Sequence, residues 1–168
     1  MIRQLEPNDS VEYFKLRLEG LQMHPEAFGT GAEDWSKATD SEVKNLLKKS
    51  NPDDFVIGYF KGEKLAGVVG LKREKKHSVD HKGTVWGLFV SPEFRKQSIA
   101  KSLIGELVSR AAQNKNLLYL RAVVTVSPIN AITVFTNCGF SAYGTEKHGI
   151  KEGSRFFDQC FMAHNIRK

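Results

Sequence analysis

The segment from Val90 to Leu103 reads VSPEFRKQSIAKSL, and its residue types suit it to holding an anion. Pro92 closes a hydrophobic run, Arg95 and Lys96 bring two cations together, and an amphipathic helical pattern begins at once. A helix entered from a tight turn leaves its first backbone N–H groups unpaired, and its dipole adds partial positive charge at the same place. Phosphate is the natural guest of such a turn. Gln97, Ser98, Ile99, Ala100 and Lys101 would supply main-chain donors beside the charges of Arg95 and Lys96. Ser98 stands where turns of this kind commonly place glycine; it gives up freedom at positive φ but keeps its N–H and adds a hydroxyl.

The elements that must position this turn are legible from periodicity. A short strand, IRQL at 2–5, precedes Asn8, Asp9 and Ser10, which offer N-cap oxygens to a helix with Val11, Phe14, Leu18 and Leu21 on one face. Pro25 ends it. The segment HPEAFGTGAEDW at 24–35 reads as a loop, and Thr39 with Glu42 forms a capping box ahead of a second helix that Asn51 and Pro52 terminate. FVIGYF at 55–60 and KLAGVVGLK at 64–72 then form a hairpin around Lys61, Gly62 and Glu63, with a third strand, GTVWGLFV, at 83–90. After the anion turn, Ile99, Leu103, Ile104, Leu107, Val108 and Ala111 share a helical face. A buried strand at 117–126 follows. Ser127 and Pro128 open a short helix that Gly139 closes as a left-handed cap. Strands at 140–148 and 154–164 flank a turn containing Gly149 and Gly153. The order β-α-α-β-β-β-α-β-α-β-β predicts an α/β (α+β) fold, a mixed central sheet of about seven strands with helices on both faces.

With 168 residues, of which 40% are hydrophobic, the chain suits one domain over residues 1–168. The apolar runs fall far short of the roughly 20 residues that cross a bilayer, and MIRQLEPND has no apolar signal-peptide core. Cys138 and Cys160 show neither CxxC nor metal-ligand spacing, so they read as free thiols in a reducing compartment, and no metal site is expected. A cytoplasmic location follows as the expectation. The net charge of +6 is dispersed along the sequence, and KREKKH at 72–77 falls in a hairpin loop. Nucleic acid therefore ranks behind a small ligand, since no aromatic-basic or helix-turn-helix pattern is present.

These motifs resemble the GNAT superfamily of acyl-CoA-dependent N-acyltransferases. Its pyrophosphate loop, Q/R-x-x-G-x-G/A after a strand ending V-x-P, is met here by RKQSIA behind FVSPEF, matching at Arg95 and Ala100 and departing at Ser98. NAITVFTNCGF at 130–140 is similar to the family's A-x-x-L-Y-x-x-x-G-F, with Ala131, Val134, Gly139 and Phe140 in place. LRLEGLQMHPEAFGT and FFDQCFM extend the likeness over nearly the whole chain. The resemblance implies acetyl-CoA as donor and a small-molecule or peptide amine as acceptor, acting as a monomer or homodimer away from membranes. It implies a fourth strand splayed from the strand after the central helix, with the pantetheine arm pairing to the backbone of Phe89 and Val90.

Where relatives carry a tyrosine acid four residues before the GF glycine, this chain has Phe135, which can pack on the thioester but has no proton to give. The family asparagine is displaced to Asn130, which equally suits cofactor contact or a local helix cap. The fourth strand has no carboxylate. His81 just upstream, with an unperturbed pKa of about 6.5, and Glu26 and Asp158, by the family's location of the acceptor pocket, are the candidates for the base. Phe28, Trp35 and Phe156 suggest an apolar acceptor pocket or core packing. The alternative reading is a non-catalytic module that binds acyl-CoA or a protein partner, for which Ser98 and Phe135 speak.

Overall fold

The computed structural model describes residues 1–48, 52–127 and 131–167. Among these residues seven strands build a mixed sheet in the order β1-β2-β3-β4-β5-β7-β6. The strands are β1 Ile2–Gln4, β2 Phe55–Lys61, β3 Lys64–Arg73, β4 Lys82–Val90, β5 Tyr119–Thr125, β6 Ser141–Glu152 and β7 Arg155–Asn165. The helices are α1 Ser10–Met23, α2 Ala32–Ser36, α3 Asp40–Leu47, α4 Ile99–Ala111 and α5 Ala131–Asn137.

The run FVIGYF can be almost wholly apolar because both faces of β2 are covered. Phe55 and Ile57 face the core made with Ile99, Leu103, Ile104 and Leu107 of α4, whereas Val56 faces the core made with Tyr13 and Leu16 of α1 and Val43 and Leu47 of α3. The α3 capping box is formed, Thr39 Oγ1 accepting from Glu42 N at 3.3 Å and Glu42 Oε2 accepting from Thr39 N at 2.7 Å.

Two irregularities shape the middle of the sheet. Strands β4 and β5 run parallel but pair only at Lys82↔Tyr119, Gly83↔Leu120 and Thr84↔Arg121. Beyond Thr84 they part, while β5 stays paired on its other edge with β7 as far as Thr125↔Gln159. The second irregularity is a bulge in β4: Val68↔Phe89 and Gly70↔Trp86 set two steps on β3 against three on β4. Gly87 in that bulge has φ +66, a conformation open to glycine without a Cβ penalty.

Several expectations are corrected. The buried residues of α1 are Ser10, Tyr13, Leu16, Arg17, Gly20 and Leu21; of the expected face Leu21 is among them, Phe14 and Leu18 are half-buried and Val11 is 55% exposed. A stripe interrupted by an arginine and a glycine does not register as apolar. The stretch at 24–35 contains the short helix α2. Strands β6 and β7 continue to a tight turn at Gly153 (φ +60), and the bulge between them places His148, not Gly149, at positive φ. Asn51, Pro128 and Asn130 lie outside the described residues. No helix among the described residues is long and apolar enough to cross a membrane.

Candidate functional site

The parting of β4 from β5 opens a cavity of about 470 Å³, walled by Val85 to Val90 on one side and Ala122 to Thr125 on the other. From Val85 onward β4 has no neighbour strand on this edge, which borders the cavity; at its end Val90 O accepts from Arg95 Nε at 3.2 Å. His24, Ala27 and Phe28 come over it from the segment after α1, and Phe135 from α5. Thr125 Oγ1 donates to the main-chain oxygen of Glu26 at 2.8 Å, tying that segment to the end of β5.

Arg95, Lys96 and Ala100 lie at the α4 end of this cavity. A recess of about 310 Å³ continues past them along Ser98, Ile99 and Lys101. Ser98 occupies the left-handed region at φ 59, ψ 15, as N-cap of α4 without a side-chain capping bond; Lys96 is left-handed as well, at φ 61. Ser102 is the first residue of α4 with an i→i−4 bond, its N–H reaching Ser98 O at 3.0 Å. The residues ahead of it, Ser98 to Lys101, line the recess beside two cations, an arrangement whose main-chain donors could hold an anion. Gln97 is exposed and lines neither space.

Phe89 and Val90 stand on the cavity wall. So does Phe135, 5% exposed, its ring edge-on to Phe140 with centroids 5.1 Å apart. The candidates for the base scatter. His81 lies where β4 and β5 are still paired, its main-chain oxygen accepting from Leu118 N and Tyr119 N and its ring 6.2 Å from that of Tyr119. Asp158 is engaged in the β6–β7 bulge by Lys147 Nζ at 2.8 Å and His148 N at 3.0 Å, and the Lys147 hydrogen bond above all holds its carboxyl below the usual range. Neither lines the cavity. Glu26 stands one layer back, its Oε1 3.8 Å from His24 Nδ1. Of the three aromatics, Phe28 reaches the cavity, Trp35 stacks on Phe14, and Phe156 is 54% exposed.

The sequence reading passed over His24, although it lies in the same loop as Glu26. Arg95 Nη2 is 3.1 Å from His24 Nε2, and because a guanidinium only donates, Nε2 accepts and the ring proton sits on Nδ1, toward Glu26. Burial, then the Arg95 charge, push the imidazole below its ordinary value, against a smaller opposing pull from Glu26. The ring is therefore neutral at pH 7. Burial raises the Cys138 thiol above its ordinary value, and both cysteines are free.

Arg17 was also missed. It is 8% exposed, with Nη1 buried and unpartnered; Trp86 Nε1 is the other buried side-chain polar atom among the described residues that has no hydrogen bond. The guanidinium carbon lies 4.8 Å from the Phe28 ring centre, 5.7 Å from Trp86 and 6.0 Å from Trp35. Leaving a buried charge uncompensated costs several kcal/mol, roughly 3–5 kcal/mol when a partner is removed. Aromatic faces offset part of that, about 0.5–2 kcal/mol for a well-placed ring within about 6 Å, and only Phe28 is well inside that distance.

A family model described as an acetyltransferase (GNAT) domain matches residues 2–161. Among solved structures, an acetyltransferase of the GNAT family from Streptococcus pneumoniae superposes with a TM-score of 0.88 at 22% identity, covering 99% of each chain. YncA, a putative acetyltransferase from Salmonella typhimurium solved with its cofactor acetyl-CoA, gives 0.87 at 12% identity over 100% of this chain and 94% of its own. A ribosomal-protein-alanine N-acetyltransferase from Brucella melitensis gives 0.83 at 17% identity, covering 98% of this chain and 99% of its own.

Proposed function

We propose that this chain, which belongs to the GNAT acetyltransferase family, transfers an acetyl group from acetyl-CoA to a primary amine by direct attack. The observation that carries the proposal is the parted β4 and β5 over a cavity that ends at the N-terminus of α4. The residues present fit the donor. The edge of β4 at Phe89 and Val90 suits an extended amide chain, while Arg95, Lys96 and the main-chain donors of 98–101 suit a diphosphate. Bound there, acetyl-CoA supplies an activated acyl carbon joined to a tolerable leaving group.

An amine nitrogen attacks as the free base, so a bond forms from nitrogen to the acyl carbon, the carbon–sulfur bond breaks, and one proton leaves the nitrogen. His24 is the titratable group on the cavity wall apart from Arg95 and Lys96, and it would take that proton on Nε2, with Glu26 facing Nδ1–H. In the free protein Arg95 occupies the Nε2 lone pair; a diphosphate in the turn offers Arg95 a stronger partner and would release it. Phe135 packs against the reacting group and gives no proton, so the departing sulfur takes one from solvent. We extend the reading to one domain over residues 1–168, acting in the cytoplasm as a monomer or homodimer.

The test is release of free thiol from acetyl-CoA across a panel of primary amines. Amine-dependent release that Ser98→Pro abolishes supports the reading. The buried phenyl ring of Phe135, where a hydroxyl would serve as acid, favours a second reading, a module that binds acyl-CoA without turnover; calorimetric binding with no thiol released by any amine would select it.

A further inference from the structure

We propose that Arg17 and Trp86 form the subsite that recognises a carboxylate on the acceptor, so that the amine acetylated is an amino acid or a compound like one. This rests on the acetyl-transfer reading for the amine and adds the class of amine.

The two unpartnered buried polar atoms, Arg17 Nη1 and Trp86 Nε1, belong to side chains in mutual contact, with the guanidinium carbon 5.7 Å from the indole centre. Both are donors. No carboxylate bears on Arg17: the perturbations it feels are its own burial and the Tyr13 hydroxyl. Arg17 reaches the bulge of β4, where a side chain at position 87 would stand 3.1 Å from its Nη1, while Trp86 Nε1 lies over Gly70 of β3, 2.7 Å from where a Cβ there would stand. Gly87, Trp86 and Phe28 are themselves on the cavity wall, so glycine at the bulge lets the guanidinium approach the wall from behind.

A structural arginine in a core normally finds a carbonyl or carboxylate for its fork. This one has aromatic faces that tolerate a cation and no acceptor, which is the state of a group whose acceptor arrives with the ligand. The guanidinium fork matches a planar carboxylate, which it can bind through two oxygens, and the neighbouring indole adds an N–H donor to the same surround. A phosphate dianion would keep an unmatched charge in an apolar surround, so carboxylate is the better fit. The ammonium groups of polyamines and simple aliphatic amines carry no acceptor for either donor, and their charge is repelled by the guanidinium.

The experiment compares L-amino acids with their own carboxamides as acceptors for acetyl-CoA, with rates referred to the concentration of unprotonated amine. The acids are expected to exceed the amides by at least about tenfold in kcat/KM, the scale of a charge-assisted hydrogen bond. In Arg17→Met that ratio falls to about one, and in Trp86→Phe, which deletes one donor and keeps a ring, it falls part of the way. Thermal stabilisation of the protein by each acid and amide is read in parallel and needs no turnover. Equal use of acids and amides by the wild type, or a ratio that survives in a folded Arg17→Met protein, overturns the proposal. If no amine is acetylated but acids and not amides stabilise the wild type in an Arg17-dependent way, the subsite stands and acetyl transfer fails. If neither acids nor amides stabilise the wild type and none is acetylated, the subsite is rejected.

Discussion

Replacing Ser98 by glycine and by proline separates what the anion turn needs from its backbone and what it needs from its side chain. At φ 59, ψ 15 an L-residue bears a penalty of roughly 1–2 kcal/mol for the left-handed region, which glycine does not. Glycine in turn gives the unfolded chain more freedom, taking back about 0.4–1 kcal/mol. The hydroxyl makes no capping bond and the residue is exposed, so its loss adds nothing large. The balance is a stabilisation of about 0.5–1 kcal/mol, and at roughly 2–4 °C per kcal/mol for a chain of this size the melting temperature should rise by about 1–4 °C. Acetyl-CoA affinity should be preserved or improved, because the donors are main-chain N–H groups that glycine retains. Proline fixes φ near −65°, about 120° from the value needed here, so Ser98→Pro should abolish acetyl-CoA binding. Thermal melting and titration calorimetry read the two effects independently. A Ser98→Gly protein that melts below the wild type would refute the strain argument, and a proline variant that binds acetyl-CoA with wild-type affinity would refute the location of the site.

Phe135→Tyr should maintain or raise turnover on a competent amine while costing up to about 1–3 kcal/mol of stability if the new hydroxyl stays unpaired beside Phe140; a large loss of turnover with normal folding and acetyl-CoA affinity would show that the phenyl ring is needed for packing. His24→Gln should remove the acid limb of the pH–rate profile, which burial and Arg95 place below the ordinary histidine value, and an unchanged profile returns the role to His81, Glu26, Asp158 or water. Gly20→Ala would put a Cβ 3.0 Å from the Phe89 ring; the helical preference for alanine, about 1 kcal/mol, is set against overpacking of roughly 1–3 kcal/mol, so a net loss of up to about 2 kcal/mol is expected in denaturant melts, with a rise in the KM for the acceptor. Asp9 accepts two 2.7 Å hydrogen bonds from Arg3, which hold its carboxyl below the ordinary 3.8. Its folded pKa is depressed, so the stability it contributes is complete above pH 3.8 and is lost as pH falls through the folded value; Asp9→Asn should flatten that part of a melting curve taken over about pH 2–5, and an unaltered acid limb would assign the loss elsewhere.

What could be read in advance follows from what each residue displays locally. Strand pairs announce themselves by continuous β-branched runs, the turn at 95–101 by two cations ahead of an amphipathic helix, and the family by motifs at both. The parting of β4 and β5 has no such local signature; it came from the resemblance, and in the structure it coincides with the bulge of β4 just past the last β4–β5 pair. Arg17 and His24 were hidden for opposite reasons. Arg17 looks like the polar side of α1, because the stripe that buries it mixes Tyr13, Leu16 and Gly20 in place of a clean aliphatic face. His24 looks like a loop residue before Pro25, and nothing within ten positions of it suggests Arg95 as its partner. A signal was available for the first: an arginine at helical spacing between Tyr13 and Gly20 predicts either an exposed face or a buried cation with a purpose.

That α1 carries Arg17 and is capped by His24 is consequential, because its packing fixes their spacing relative to β4. Gly20 lets the helix ride directly on the Phe89 ring, leaving no room for a Cβ. One turn before that contact, Arg17 reaches the bulge at Gly87; one turn after it, His24 caps the helix and faces Phe89 at 6.5 Å between ring centres. A helix of 14 residues would thus set the proposed carboxylate-binding group and the proposed proton acceptor at two points along one strand. In the proposed reaction an amino acid would have its carboxylate held by the first and its amine deprotonated toward the second, so the separation of the two groups on α1, more than the shape of any loop, would limit which amines can be acetylated.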